Sequence, residues 1–384
     1  MGDIARVLKF IDNFKLGEQW AIMVATVEAS PWHREANVAV HTEMCLAQYI
    51  ARFAMDRSEQ QNKIAMIALL YHDVGKPAAE EVLEKKDGTG MFRRYAGHEQ
   101  NSAVTFMECY VRDQELQNIL SRIEARAVRW IIEHHLPYGM TDKAKRQALR
   151  IATLMAFEDC GISDQTFFDC LRSDAAGRIS DDHGQKLQNV ENWIKEFRAI
   201  EMLGVQPPSM QSMHRMYILI GPSGSGKTTW RKKCAADALV ISHDDMKIEF
   251  WRAAVDCPMP MSDSEVYETA WKYSTIDNEG EFKKFALKRQ AEIMAKAKKF
   301  QLDVVIDIVN ASKKKRTQFV DMGRKSGMSM VAIEFWNTLD TLVARQKTRG
   351  DKSVPASSIK AQMHATACAW VGVEVDHVAV EIGS

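Results

Sequence analysis

The chain has 384 residues, 46% of them hydrophobic and 27% charged, with a formal net charge of +0. That length allows two or three domains, each with its own core. The neutral balance excludes a strongly cationic coat, so a nucleic-acid substrate would have to be gripped locally, in a groove. Seven scattered cysteines, at 45, 109, 160, 170, 234, 257 and 368, form no C-x-x-C pair. They argue against a disulfide framework and a zinc ribbon and fit a reducing compartment. The N-terminal MGDIARVLKF carries charges ahead of any apolar run and does not read as a signal peptide, and no apolar stretch reaches the length of a membrane span. The expectation is a soluble, cytoplasmic protein with no membrane partner.

Up to about residue 200 the apolar spacing is helical. Val38, His41, Met44/Cys45, Gln48/Tyr49 and Phe53 fall on one face, and Ile64–Tyr71, Ala103–Tyr110, Ile123–Ile132, Leu149–Phe157 and Leu187–Phe197 repeat the period. A short hairpin is predicted around Lys86-Asp87-Gly88 and Gly90, ending near Tyr95. The aperiodic, Pro- and Ser-containing stretch GVQPPSMQSM reads as a linker over 204–213. Beyond it, the short apolar runs Met216–Ile220, Ala238–Ile241, Val304–Ile308 and Met330–Trp336 alternate with helical segments, which predicts a parallel sheet.

Ile64–Tyr71 runs into His72-Asp73-Val74-Gly75-Lys76-Pro77. An adjacent His and Asp at a helix end can both ligate one ion, and the glycine lets the chain turn away. Further candidate ligands are His41 on its inward stripe, His98 in Gly-His-Glu, His134 or His135 in Ile-Ile-Glu-His-His, and Asp174 in Ser-Asp-Ala-Ala-Gly-Arg178. Taken singly, an inward histidine is more often a hydrogen-bonded core residue, and an Asp before a helix is more often a cap.

Taken together, the order H…HD…H…HH…D over about residues 35–180 resembles the all-helical HD phosphohydrolase superfamily. The Asp-x-x-Gly-Arg around Asp174 is similar to that of HD domains attached to RNA-end-processing enzymes. The resemblance implies a first metal site of His41, His72, Asp73 and Asp174. It implies a second ion on His98 and one of His134 and His135, with Asp73 bridging and catalytic. Nitrogen and oxygen donors suit Mn, Fe, Co, Ni or Zn, and paired ions supply hydroxide and clamp a phosphate. Lys76 and Arg178 are candidate phosphate or structural partners.

In the second half, Gly221-Pro222-Ser223-Gly224-Ser225-Gly226-Lys227-Thr228 follows an apolar strand and opens a helix at Thr228–Lys233. That context identifies a P-loop, in which main-chain N–H groups, a helix N-terminus and Lys227 hold the phosphates of an NTP and Thr228 holds Mg²⁺. Thr229 follows within the same turn. The next predicted strand runs into Ser242-His243-Asp244-Asp245-Met246-Lys247. A carboxylate there faces the crevice where the γ-phosphate leaves, so Asp244 could take a proton from an attacking hydroxyl and Lys247 could hold an acceptor phosphate. Asp245 is a candidate helix cap. Arg345 and Arg349, four apart, share one helix face and suit a lid over the triphosphate.

Over about residues 215–365 the chain resembles the phage-type polynucleotide 5′-kinases, through GPSGSGKTTW, S-x-D-D-x-K, a strand ending in Asp307 followed by Asn310, and R-x-x-x-R-G-x-x-x-V-P. The resemblance implies that Lys227 and Thr228 bind the donor, that Asp244 is the general base for a 5′-hydroxyl and that Arg345 and Arg349 are lid residues. It also puts Asp307 near the donor or its metal. Lys247 stands where that family usually has arginine, offering charge without a bidentate fork. The stretch from Trp251 to Glu281 matches weakly and is expected to build an acceptor-facing insert.

In this reading the chain is multidomain. Residues 1–203 form an all-α HD-type metal-dependent phosphohydrolase, and 214–384 an α/β P-loop polynucleotide kinase with a parallel sheet and helical lid. The fusion resembles bifunctional end-healing enzymes, which implies ATP or another NTP as donor, Mg²⁺ in the kinase site and one or two transition-metal ions in the HD site. Nucleic-acid ends are the expected partner, with RNA favoured over DNA because cyclic phosphate ends arise from the 2′-hydroxyl, and a separate ligase is a further expected partner. Two other readings stay open: an HD nucleotidase fused to a nucleoside or small-molecule kinase, and a kinase regulated by a non-catalytic HD module. Basic clusters at Lys283-Lys284 with Lys288-Arg289, Lys296–Lys299 and Lys313–Arg316 are either strand guides or solvated helix faces. Trp251, Trp271 and Tyr273 are either base-stacking or core residues.

Overall fold

A computed structural model describes residues 3–28, 34–84, 90–180, 183–200, 214–254, 261, 263–349 and 353–383. The chain divides into two compact units, Met1–Val205 and Gln206–Ser384. The linker predicted at 204–213 lies outside the described residues.

The N-terminal unit is helical, with α1 (Asp3–Phe14), α2 (Glu18–Ala25), α3 (Val38–Arg52), α4 (Glu59–Tyr71), α5 (His98–Arg112), α6 (Gln114–Ile119), α7 (Arg122–His134), α8 (Lys143–Glu158), α9 (Gln165–Ala176) and α10 (His183–Arg198). Helix α4 starts at a capping box in which the Ser58 hydroxyl accepts from Gln61 N–H and the Gln61 side chain accepts from Ser58 N–H. Every residue from Ile64 to Tyr71 is buried. A helix apolar on all sides can only lie in a core, and α4 packs against α1, α3, α7 and α9. Its C-terminal end therefore delivers His72 and Asp73 to the middle of the unit.

Gly75 follows at a point of close approach. A Cβ there would lie 2.3 Å from Ser102 N and 2.6 Å from His98 O, and its own N–H donates to Ser102 Oγ at 2.9 Å. The glycine is thus required by packing against α5, and it has no positive φ that would mark a turn. The predicted hairpin exists as β1 (Glu81–Glu84) paired antiparallel with β2 (Met91–Arg94), while its turn at 85–89 lies outside the described residues. Asp174 sits in the last turn of α9, so it does not precede a helix as a capping residue would.

The C-terminal unit runs β3 (Arg215–Ile220), α11 (Lys227–Cys234), β4 (Leu239–Ile241), α12 (His243–Ala254), α13 (Asp263–Lys272), α14 (Glu279–Phe300), β5 (Val304–Ile306), α15 (Lys313–Lys325), β6 (Ser329–Trp336), α16 (Leu339–Lys347), α17 (Ala356–His364) and β7 (His377–Ile382). The sheet order is β4-β5-β3-β6-β7 and every pairing is parallel. Strands covered on both faces read as continuous apolar runs, and Ile218, Leu219 and Ile220 have no exposed surface. β7, an edge strand with only Val380 buried, was not predicted.

One sequence reading is corrected here, and one left open is decided. Arg316 is not a strand guide: it is fully buried, with Nε and Nη2 donating to Glu374 at 3.1 and 2.9 Å and Nη1 donating to Ala311 O at 2.9 Å. Trp251 is a core residue packed with Val266 and Ala270, with Tyr273 against them. Lys283, Lys284, Lys288, Lys296, Lys298 and Lys299 lie exposed on α14, and Arg289 pairs with Glu249 at 2.8 Å. Among the described residues no helix is long and apolar enough to cross a membrane.

Replacing Gly75 with alanine pushes a methyl group into the α5 backbone. The N-terminal unfolding transition is expected to lose about 1–3 kcal/mol, as overpacked cores do. Calorimetry on wild type and Gly75→Ala would measure it, and an unchanged transition would refute the packing role.

Candidate active sites

The four histidines of the N-terminal unit that meet at one place arrive from different helices in the same way. Each has Nδ1 beside a backbone carbonyl oxygen: His41 and Gly177 at 3.2 Å, His72 and Leu69 at 2.7 Å, His98 and Tyr95 at 2.7 Å, His135 and Ile132 at 2.8 Å. The carbonyls fix the hydrogen on Nδ1 and leave Nε2 as a lone pair. Those lone pairs converge, with His41 and His72 Nε2 3.4 Å apart and His98 and His135 Nε2 3.2 Å apart. Facing lone pairs repel unless a cation stands between them.

Two carboxylates complete the cluster. Asp174 Oδ1 is 3.1 Å from His41 Nε2 and 3.8 Å from His72 Nε2. Asp73 Oδ2 is 3.4 Å from His41 and 3.2 Å from His72, and Oδ1 is 3.1 Å from His98 and 3.7 Å from His135. Asp73 thus reaches both histidine pairs, one with each oxygen. Its Oδ1 is buried and receives no well-aligned hydrogen bond, as expected of an atom that ligates an ion. These donors fit one or two divalent ions, held by imidazole nitrogen and carboxylate oxygen.

The electrostatics agree. Burial opposes charge on Asp73, yet His72 and Lys76 hold its carboxyl well below the usual range. Burial likewise opposes a proton on His72, yet Asp73 and Cys45 raise it to about 10. The His41 and His72 pair, drawn toward protonation, has a deficit of positive charge that a metal ion would fill, whereas burial pushes His135 down.

Position separates His134 from His135, and only His135 joins the donor cluster. Pro137 follows α7 and forbids its continuation, and the last turn points His135 at Asp73. His134 stacks on Trp130, with ring centroids 4.0 Å apart, and its Nδ1 faces Trp130 O at 3.0 Å. Lys76 lies 2.7 Å from Asp73 and also pairs with Glu28, while Arg178 Nη2 donates to Asp174 at 2.7 Å. A cavity of about 430 Å³ opens on the His98 and His135 side, with Lys76, Arg93, Arg94 and Arg178 in its wall. One donor was missed: Cys45, one turn after His41 on the same predicted stripe.

In the C-terminal unit the P-loop leaves β3 at the centre of the sheet, and Gly224 and Gly226 take φ values of 84° and 99°. Those left-handed conformations suit glycine and curl the loop around an anion site. Lys227 Nζ donates to Gly221 O at 2.8 Å and Pro222 O at 2.7 Å, and burial lowers it to about 8 against the pull of Asp307. Thr228 Oγ1 donates to Asp307 Oδ2 at 2.9 Å, so a hydroxyl and a carboxylate meet as a hard-oxygen pair of the kind Mg²⁺ prefers.

Arg345 Nη1 donates to Gly224 O at 3.0 Å and Arg349 Nη1 to Ser223 Oγ at 2.7 Å. Both guanidiniums meet the P-loop, although α16 ends at Lys347 and Arg349 lies just beyond it. Gly350 lies outside the described residues.

A cavity of about 940 Å³ holds the P-loop from Ser223 to Thr229, with Asp244, Lys247, Trp271 and Asp307 in its wall. Asp244 follows β4 in the first turn of α12. The cap of α12 is Ser242, whose hydroxyl accepts from Asp245 N–H at 3.2 Å, and Asp245 instead pairs with Arg231 at 3.3 Å. Lys247 Nζ lies 3.0 Å from the Trp271 ring centroid, and burial lowers it to about 8. Tyr267 was missed: it hydrogen-bonds Asp244, and burial together with that carboxylate raises its hydroxyl, so it stays protonated and donates. Asn310 is structural, its Nδ2 donating to Leu219 O at 3.0 Å from a residue with φ 46°.

Residues 41–159 match the family model described as an HD domain, and residues 216–368 match one described as an AAA domain. The chain joins an HD domain to a P-loop kinase-like domain. The HD match stops short of Asp174, which the fold brings to it from α9. Comparison with curated proteins gave no match. Among solved structures, a gluconokinase from Sinorhizobium meliloti 1021 is similar at 15% identity and a TM-score of 0.27, over 45% of this chain and 84% of that one.

His135→Ala is expected to weaken metal binding by the HD unit at least ~10-fold, the smallest cost typical even of an outer-sphere partner. His134→Ala should bind as wild type does. Metal titration of the two variants by calorimetry checks this, and equal losses would show the assignment to be wrong.

Proposed function

We propose that the protein is a bifunctional nucleic-acid end-healing enzyme acting on RNA. The kinase-like unit phosphorylates 5′-hydroxyl ends from ATP or another NTP, and the HD unit removes a 3′-phosphate or 2′,3′-cyclic phosphate. The product ends, 3′-hydroxyl and 5′-phosphate, are those a separate ligase consumes.

The observation that carries this reading is the composition of the cavity wall beyond the P-loop. A carboxylate (Asp244), an ammonium (Lys247) and a half-exposed indole (Trp271, 48% exposed) line the same space. They correspond to the parts of a strand end: a hydroxyl to deprotonate, a phosphate to neutralise and a base to stack. The terminal 5′-oxygen attacks the γ-phosphorus, its proton passes to Asp244, and the bond to the β–γ bridging oxygen breaks to release the nucleoside diphosphate. Lys227, Arg345 and Arg349 offset the charge on the transferring group. Tyr267, donating to Asp244, orients the carboxylate toward the acceptor.

In the HD unit, His41, His72, His98, His135, Asp73 and Asp174 would hold divalent ions, which would supply a water nucleophile at neutral pH and positive charge for the phosphoryl oxygens. Lys76, Arg94 and Arg178 line the cavity beside them and favour an anionic ester. Burial of Asp73 and Asp174 excludes bulk water from the ligand cluster.

An RNA with a 5′-hydroxyl and a 2′,3′-cyclic phosphate, incubated with ATP and divalent ions, tests both activities at once. Asp244→Asn should lower 5′ phosphorylation by about 10²–10⁴-fold and spare the 3′ end, and Asp73→Asn should do the reverse. Phosphate transfer to a nucleoside or sugar, with oligonucleotides inert, would overturn the proposal. Trp271→Ala should raise KM for the oligonucleotide by about 5-fold or more with kcat little changed, since stacking on a base is worth about 1–3 kcal/mol. Steady-state kinetics with varied RNA decides it, and an unchanged KM would remove Trp271 from the acceptor site.

A further inference from the structure

Beside the nitrogen and oxygen donors of the HD cluster lies a sulfur. We infer that Cys45 is a thiolate ligand of the centre formed by His41, His72 and Asp174, which therefore takes a borderline-soft divalent ion such as zinc, cobalt or iron through a mixed nitrogen, oxygen and sulfur set. This deepens the proposed HD chemistry and rests on it.

Cys45 is one turn after His41 on α3, so both side chains leave the same helix face. Its side chain is fully buried. Sγ lies 3.5 Å from His41 Nε2, the nitrogen whose lone pair faces the cluster, and donor atoms of His41, Cys45, His72 and Asp174 all lie within 4.8 Å of one another.

The separations around His41 Nε2 are those of a coordination shell, while His72 Nε2 and Asp174 Oδ1 stand 3.8 Å apart. Bonds of about 2.3 Å to sulfur and about 2.0 Å to nitrogen give tetrahedral edges of about 3.5 Å between S and N and about 3.3 Å between two nitrogens. The observed edges around His41 Nε2 are 3.5 Å to Cys45 Sγ, 3.4 Å to His72 Nε2 and 3.1 Å to Asp174 Oδ1.

A second observation points the same way. The chain closes tightly on Cys45: a Cβ on Gly177 would fall 2.5 Å from its Sγ, 2.7 Å from its N and 2.9 Å from its Cα, so the glycine admits the α3 backbone together with the sulfur. Gly177 O is also the acceptor for His41 Nδ1 at 3.2 Å. Gly177 O and the buried Glu35 carboxylate, 3.1 Å from Nδ1, together fix the His41 tautomer, and the glycine lets the end of α9 close on Cys45. Sγ lies 3.9 Å from Asp174 O, a longer contact than the 3.5 Å to His41 Nε2. Sulfur ligation biases the centre away from Mg²⁺ and toward softer ions.

The test uses the full chain, stripped of metal and titrated with cobalt(II). A near-ultraviolet sulfur-to-cobalt charge-transfer band should grow with the first bound equivalent. It should vanish in Cys45→Ser and Cys45→Ala, which still bind cobalt about 10-fold or more weakly, and persist in Cys170→Ser. X-ray absorption of the zinc-loaded wild type should show a sulfur neighbour at about 2.3 Å, a measurement that needs no variant to fold. Cobalt bound without the band, or a band that survives both Cys45 variants, overturns the inference and leaves the HD metal site standing. No cobalt bound at all removes the HD metal site as well.

Discussion

One buried carboxylate organises the N-terminal half of this protein. Asp73 is 2% exposed, and a bare charge at that depth would cost several kcal/mol without compensation. Lys76 at 2.7 Å compensates directly, and the Nε2 atoms of His72, His98 and His41 face the carboxylate at 3.2, 3.1 and 3.4 Å, where a cation held between them would supply the rest. No single element could supply these partners. Helix α4 must be apolar all round to reach the centre, Gly75 must be small for α5 to bring His98, and Pro137 must stop α7 where His135 faces inward. The surrounding fold can be understood as the set of constraints that lets one carboxylate be ionised in a core.

The C-terminal half handles phosphate by the opposite means. Its anion site is made of main-chain amides and a helix N-terminus, which need no desolvated formal charge when the site is empty of phosphate. Its one deeply buried cation, among the P-loop residues, is Lys227, and burial weakens even that charge to about 8. Loop carbonyls hold the ammonium in the meantime, and an arriving triphosphate would restore its full charge. Arg345 and Arg349 rest on the loop itself through Gly224 and Ser223. The cations are thus positioned before the substrate enters, at a cost spread over hydrogen bonds already made.

What the sequence revealed follows the range of the forces involved. The P-loop was legible because a strand, eight residues and a helix are all local. The helical run Ile64–Tyr71 was legible because burial on all sides leaves an apolar tract. The strands β3 and β6, buried on both faces, showed as continuous apolar runs, whereas the edge strand β7 carried no such signal. His135 could not be separated from His134 without knowing where α7 stops. Tyr267 was invisible, because its partner Asp244 is on another helix and a tyrosine in a weakly patterned segment announces nothing. Cys45 shared the inward stripe with His41, but apolar burial explains a cysteine as readily as ligation does until the distances are known. Arg316 was misread because a basic run gives no hint that one of its members meets a buried glutamate 58 residues away.

The two sites also differ in what cations they can accept, and the difference is one of donor atoms. Thr228 and Asp307 offer oxygen alone, beside a loop that presents phosphate oxygens, and such a set favours a small, hard ion that keeps its waters. The HD cluster offers four imidazole nitrogens around its carboxylates, which hold transition ions far better than Mg²⁺. Neither set competes well for the other's ion. Under the proposed function, a chain that adds a phosphate at one end of a strand and removes one at the other would gain from this separation. An ion bound in the HD centre would resist displacement by Mg²⁺, and an ion escorting a nucleotide could exchange without emptying that centre.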